Sequence, residues 1–81
     1  MHEAVKSRLR QLLSEHAKLP VDVTTLDDYS DLYAAGLKSF SVVQLMLAIE
    51  SEFDIEFPER MLNRRTFADL ATIEAAVREL M

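Results

Sequence analysis

Ser39 is the residue whose type and position best suit chemistry in this sequence. It follows the flexible point Gly36-Leu37 and stands where an amphipathic pattern begins. The first turn of a helix has unpaired N–H groups and a partial positive charge, so it favours an anion. A phosphodiester on the Ser39 hydroxyl would lie at such a place. An unmodified Ser39 would be an ordinary capping residue, and position alone leaves both interpretations open.

No other set of residues points to catalysis. The chain has no cysteine and a single glycine, so we expect neither thiolate chemistry of its own nor a glycine-rich phosphate loop. No Ser-His-Asp spacing indicates a catalytic triad. The two histidines lack a neighbouring ligand cluster, so we expect no metal site. The sequence therefore predicts a protein that is not an enzyme, and any thiol chemistry would come from an attached cofactor.

Length and composition predict a single domain over residues 1–81. The hydrophobic fraction of 49% is too high for a disordered chain, and 81 residues suffice for one small core. No apolar run is long enough to span a bilayer, and the N-terminus lacks a secretory pattern, so we expect a cytoplasmic protein. A net charge of −5 argues against nucleic acid and anionic membranes as partners. We expect a monomer whose partners have basic docking patches.

Hydrophobic periodicity predicts an all-α fold with one long connection. Helices are predicted at about 3–17, 39–53, 59–63 and 68–80. Pro58 with Glu59 suits the start of the short third one, and Thr66 followed by Asp69 resembles a capping box, with Asp in place of Glu, before the last one. The connection from Leu19 to Lys38 is longer than most loops in compact domains, which is typical of a functional loop. Its apolar residues predict that it packs onto the helices.

The predicted helix over 39–53 is apolar on more than one side. One stripe is the expected core: Leu45, Met46, Ile49 and Phe53. The flanking stripe contains Phe40, Val43 and Leu47. A helix with two apolar sides needs deeper burial or a partner. Val43 and Leu47 are therefore either core or docking residues, whereas Phe40 is the better candidate for a partner contact.

These motifs, in this order, resemble the acyl carrier protein family. The matching segments are Asp31-Leu32, Gly36 to Phe40, Leu45 to Glu50, Glu52 to Pro58 and Thr66-Phe67. Family members have a glycine, then Asp-Ser-Leu, then an amphipathic helix that ends in an acidic Phe-Asp-Ile-Glu-Ile-Pro run. The resemblance covers nearly the whole chain at the family's spacing.

This resemblance implies a four-helix bundle with a short third helix and a long first loop. It also implies that Ser39 accepts 4′-phosphopantetheine from coenzyme A through a phosphopantetheinyl transferase. The thiol of that arm would give a chain without cysteine a way to carry thioesters. Lys38 stands where the family has Asp, so it is either a contact for the phosphodiester or a solvated lysine.

The resemblance further implies that partners dock on the second helix. Ser41 and Gln44 stand where related carriers often have Asp or Glu, so this surface is less acidic than usual. The expected docking residues are Phe40, Val43, Gln44, Leu47 and Glu50.

Two runs resemble a subgroup of small stand-alone carriers. They are Leu32 to Phe40 and Phe57 to Phe67, the second ending in Arg-x-Thr-Phe. Carriers of this subgroup are aminoacylated by ligases similar to the catalytic core of seryl-tRNA synthetases. The subgroup implies a small amino acid as cargo, such as glycine or alanine, which partner enzymes then take up. Two alternatives stay open: an acyl carrier for fatty acid, polyketide or lipid synthesis, and a helical interaction module without a prosthetic group.

Overall fold

The amphipathic patterns form three α-helices in the computed structural model, which describes residues 2–81. Helix α1 spans His2–His16, helix α2 spans Ser39–Phe53 and helix α3 spans Leu70–Leu80. The 3₁₀ helices are Val23–Thr25, Glu59–Met61 and Arg64–Phe67. No strand occurs within the described residues, so the prediction of an all-helical fold is confirmed.

The predicted short helix over 59–63 is replaced by two 3₁₀ turns, Glu59–Met61 and Arg64–Phe67. Asn63 separates them because its side chain bonds to the backbone on both sides. Its amide donates to Arg60 O at 2.9 Å, and its Oδ1 accepts from the backbone N–H of Thr66 at 3.1 Å. Such local bonds compete with a continuous helix.

The predicted capping box before the last helix is wrong. Thr66 is buried inside a 3₁₀ turn, and its hydroxyl donates to Asn63 Oδ1 at 3.3 Å. Asp69 itself is the N-cap, and its Oδ1 accepts from the backbone N–H of Thr72 at 2.7 Å. Helix α3 therefore begins at Leu70, two residues later than predicted. A side-chain acceptor at the N-cap satisfies one of the unpaired amides of the first turn.

Helix α1 packs against both α2 and α3, and the core lies between the three helices. The most deeply buried large side chains are Leu9, Leu13, Leu32, Leu45, Ile49, Phe67, Ile73 and Val77. Phe57 packs edge-to-face on Phe67, with ring centroids 5.5 Å apart. The core stripe of α2 is narrower than predicted, because Met46 and Phe53 are only partly buried at its margin.

The connection between α1 and α2 packs onto the helices, as predicted, through buried Val23, Leu32 and Leu37. Two of its other apolar residues, Val21 and Tyr29, are exposed instead. Backbone hydrogen bonds join the connection to the start of helix α3. Leu32 N–H donates to Ala68 O, and Ala71 N–H donates to Asp28 O, both at 2.9 Å. This anchoring fixes the segment that leads into Ser39.

Helix α1 also holds the connection, through Arg10. Its guanidinium donates to the backbone carbonyls of Val23 and Leu26 at 3.3 and 2.9 Å. It also donates to Asp28 at 2.9 Å, and Lys6 donates to the other oxygen of that carboxylate at 2.7 Å. These bonds, with that from Lys6 the largest cause, hold the pKa of the Asp28 carboxyl below its usual value.

Candidate functional site

Ser39 is the first residue of helix α2, and its side chain is exposed. The capping residue is Lys38, which has an extended backbone (φ −106°, ψ 157°) and makes no side-chain capping bond. The first backbone bond of the helix runs from Val42 N–H to Lys38 O at 2.9 Å. Within the described residues, the Ser39 hydroxyl has no hydrogen-bond partner. The alternative that Ser39 serves as the helix cap is therefore wrong, and its hydroxyl is accessible to an enzyme.

Buried residues on both sides fix the position of Ser39. Leu37, which precedes the cap, is buried, and its N–H donates to Leu32 O at 2.9 Å. Ser41 and Leu45 are buried on the helix that follows. Ser39 therefore lies on a short exposed segment between two anchored ones, which gives a rigid base for any group attached to it.

Gly36 allows the sharp turn before this segment. Its φ of +117° lies in a region that residues with a side chain rarely adopt, and a Cβ there would lie 2.5 Å from Pro20 Cδ. The single glycine of the chain is thus required both by its backbone conformation and by the close approach of Pro20.

A shallow groove of about 170 Å³ opens beside Ser39 and is lined by Tyr33, Ser39, Val42 and Arg64. The guanidinium carbon of Arg64 lies 3.8 Å from the centroid of the Tyr33 ring, a cation–π contact. The Tyr33 hydroxyl donates to Arg64 O at 2.9 Å. Burial raises the pKa of the Tyr33 hydroxyl further above neutral pH.

Sequence reasoning missed this pair. Tyr33 precedes Ser39 and Arg64 follows it by many residues, so only the folded chain brings the three together. Each of the two subgroup runs contains one member of the pair, but neither run indicates that the two side chains meet. A larger groove of about 560 Å³ continues from Tyr33 and Arg64 towards Arg65 and Asp69.

Lys38, the predicted phosphate contact, is exposed and does not line the groove at Ser39. Its proposed contact with the phosphodiester stays a prediction.

The flanking stripe of α2 faces solvent. Phe40, Val43 and Leu47 are 69%, 49% and 53% exposed, and Gln44 is also exposed. The alternative that Val43 and Leu47 belong to the core is therefore wrong. An exposed apolar stripe beside Ser39 is compatible with docking, which stays a prediction.

Glu50 has an additional role inside the chain. It is half-buried, and its Oε2 accepts from the backbone N–H of Phe57 at 2.8 Å. Asp54 ends α2 in the left-handed conformation (φ 53°), and its N–H donates to Glu50 O. Glu50 thus holds the connection after α2, and its predicted docking role remains untested.

In the part of the chain that the structure describes, no three His, Cys, Asp or Glu side chains lie together so as to hold a metal ion. None of the helices in residues 2–81 is long and apolar enough to cross a membrane.

Comparison with known proteins identifies the family. The model of the phosphopantetheine attachment site family matches residues 7–73. This chain belongs to that family. The predicted resemblance is confirmed, and so is the predicted cofactor, because the family is defined by covalent attachment of phosphopantetheine. The structure fits this group, since it offers an exposed, unpartnered hydroxyl at a helix start beside an arginine-lined groove.

Two curated relatives of this carrier family match almost the whole chain. An aminoacyl carrier protein from Agrobacterium fabrum is 48% identical over 77 residues, covering 95% of this chain and 93% of the relative. Aminoacyl carrier protein 1 from Bradyrhizobium diazoefficiens is 33% identical over 76 residues, covering 90% and 81%. The predicted subgroup is therefore the one to which this chain is similar.

Solved structures agree with these relatives. A chain in the crystal structure of an engineered Bradyrhizobium japonicum glycine:[carrier protein] ligase, complexed with a carrier protein from Agrobacterium tumefaciens and ATP, superposes with a TM-score of 0.91. The two chains are 49% identical, and the match covers 94% of this chain and 99% of the other. A solution structure from Agrobacterium tumefaciens superposes with a TM-score of 0.74 at 50% identity, covering 91% and 89%.

Proposed function

We propose that this chain is an aminoacyl carrier protein. Ser39 holds 4′-phosphopantetheine, an amino acid:carrier protein ligase loads a small amino acid onto the arm as a thioester, and a downstream transferase takes it up. The observation that carries this proposal is the exposed, unpartnered hydroxyl of Ser39 at the start of α2. The similarity to two aminoacyl carrier proteins supports the choice of cargo.

Attachment follows from the chemistry of the helix start. Inside a phosphopantetheinyl transferase, Ser39 Oγ attacks the phosphorus of coenzyme A that bears the pantetheine, and a base of the transferase takes the hydroxyl proton. The pyrophosphate P–O bond breaks, the nucleotide portion leaves, and a phosphodiester remains on the serine. The unpaired amides and partial positive charge of the first turn of α2 stabilise the new negative charge. The terminal thiol of the bound arm supplies the thioester chemistry that the cysteine-free chain lacks.

Partner enzymes dock beside the arm. Phe40, Val43 and Leu47 form an exposed apolar stripe that starts next to Ser39. Such a stripe suits an apolar patch on a ligase, with Gln44 on the same helix as a polar contact. Glu50 contributes a negative charge at the far end of the stripe, where a basic group of the partner can approach its exposed side.

We further propose that residues 1–81 form a single carrier domain that acts as a monomer. The two 3₁₀ turns at Glu59–Met61 and Arg64–Phe67 are the elements between α2 and α3 that would correspond to the short third helix of the expected bundle.

The first test is intact mass after incubation with coenzyme A and a broad-specificity phosphopantetheinyl transferase. We expect the wild-type chain to gain the mass of one phosphopantetheine and Ser39→Ala to gain none. Ser51→Ala is the matched control, because Ser51 is an exposed serine on the same helix, and it should load normally. A pure interaction module, in contrast, would stay at the mass of the bare chain.

The second test separates aminoacyl from fatty acyl cargo. The loaded chain is offered in parallel to a glycine:carrier protein ligase with ATP and to a fatty acyl–carrier synthetase. We expect thioester formation with glycine or alanine and none with a fatty acid. Loading by the fatty acyl enzyme alone would favour an acyl carrier of lipid synthesis.

A further inference from the structure

Arg64 is a basic side chain without an ion pair, and it lies beside the attachment serine. Over the described residues, the Lys and Arg side chains without an ion pair are Lys18, Lys38, Arg64 and Arg65. Of these four, Arg64 alone lines the groove that opens at Ser39. Although Asp31 and Asp69 line the adjoining groove, neither forms an ion pair with this guanidinium, so it can bind an anion attached to this serine.

The local structure holds Arg64 in place before any anion arrives. Its guanidinium lies over the Tyr33 ring, and the Tyr33 hydroxyl binds its backbone carbonyl. The 3₁₀ turn that begins at Arg64 is capped by Asn63 and anchored by buried Phe67. A planar guanidinium matches the geometry of phosphate oxygens, and one that is already ordered loses less entropy on binding.

We propose that Arg64, supported by Tyr33, binds the phosphodiester on Ser39 and directs the arm into the Tyr33–Arg64 groove. The proposal rests on the proposed function, because it requires the arm on Ser39. It assigns the phosphate contact to Arg64 in place of Lys38, which faces solvent outside the groove. The groove continues into the larger one beyond Arg64, so the arm has a path along the surface of the domain.

The test compares the chain before and after loading by NMR. On loading, we expect the backbone amide signal of Tyr33 to shift and the ³¹P signal to show the slowed motion of a bound phosphodiester. Arg64→Gln should abolish the Tyr33 shift and narrow the ³¹P line. Lys38→Gln removes the same charge from a residue next to Ser39 that lines neither groove, so it should behave as the wild type.

Three outcomes would overturn the proposal: no Tyr33 shift in the loaded wild type, retention of the shift in Arg64→Gln, or its loss in Lys38→Gln. Arg64 is exposed, so its replacement should leave the circular dichroism spectrum unchanged, which excludes unfolding as the cause. Intact mass distinguishes failure of the proposed function from failure of the Arg64 inference. Absence of a mass gain on Ser39 refutes the proposed function itself, whereas a normal gain without the Arg64 effects refutes this inference alone.

Discussion

Leu45 and Leu47 are leucines two residues apart on helix α2, and their replacement by Ala should separate packing from docking. Leu45 is 1% exposed and Leu47 is 53% exposed. Leu45→Ala removes the transfer free energy of a buried side chain and leaves a cavity, for which we expect a loss of about 2–5 kcal/mol. An 81-residue domain is stable by roughly 4–12 kcal/mol, so this is a large fraction.

Leu47→Ala should cost far less. About half of the side chain already contacts water, so truncation removes at most about half of the roughly 1.5–3 kcal/mol of full burial and opens no cavity. Ala is also the best helix former, which offsets part of the loss. We therefore expect a change of about 1 kcal/mol or less, with a reduced rate of loading by the ligase.

The assay is urea unfolding of both variants followed by circular dichroism, with the free energy of unfolding taken from the midpoint and slope. Ligase kinetics with the loaded carrier provide the second readout. Equal destabilisation by the two replacements would refute the assignment of core and docking faces on α2. Normal ligase kinetics for Leu47→Ala would refute its docking role while leaving the core assignment intact.

Three further predictions concern Phe40, Gly36 and Asp28. Phe40→Ala should raise the ligase KM for the carrier about tenfold or more at unchanged stability, because burying a Phe in the interface contributes roughly 1.5–3 kcal/mol. An unchanged KM would exclude Phe40 from docking. Gly36→Ala should lower the free energy of unfolding by about 1–3 kcal/mol through its positive φ and the contact with Pro20, seen as a lower urea midpoint. Hydrogen bonds from Lys6 and then Arg10 lower the pKa of Asp28 in the folded chain. The ionised carboxylate therefore stabilises the fold above the ordinary carboxyl pKa, and this stabilisation is lost as the pH falls below about 4. Asp28→Asn should therefore lower the melting temperature at pH 7 and flatten its decline between pH 5 and 3.

Periodicity predicted the helices well where apolar spacing is regular. Helix α2 begins and ends at the predicted residues. Helix α1 ends at His16, close to the predicted end, and Lys18 beyond it has a positive φ of 53°. The prediction of a continuous third helix is wrong because the side chain of Asn63 forms hydrogen bonds with the backbone on both sides. These bonds compete with the helical ones, and the spacing of apolar residues does not reveal them. The sequence also predicts Phe53 as a core residue, whereas its side chain is only partly buried. Its burial depends on contacts with other segments, which the spacing along α2 does not reveal.

Within the candidate site, Ser39 could be predicted from the sequence, whereas the groove beside it could not. Ser39 could be singled out as the candidate attachment residue from its place at a helix start and from the family resemblance, and the attachment itself stays a prediction. The groove of Tyr33 and Arg64 depends on how the long connection and the turn at Arg64–Phe67 meet beside α2, and no local pattern encodes that contact. Glu50 shows the same limit: its charge suggested docking, while its bond to Phe57 N–H appears only in the folded chain.

The central claim is that Ser39 carries an arm loaded with an amino acid. The most direct measurement is tandem mass spectrometry of the peptide that contains Ser39, from the chain isolated under mild acid from the cells that make it. We predict phosphopantetheine on Ser39, with a small amino acid in thioester linkage on a fraction of the molecules. An unmodified Ser39 in every molecule, an arm on another residue, or a fatty acyl group on the thiol would contradict the account.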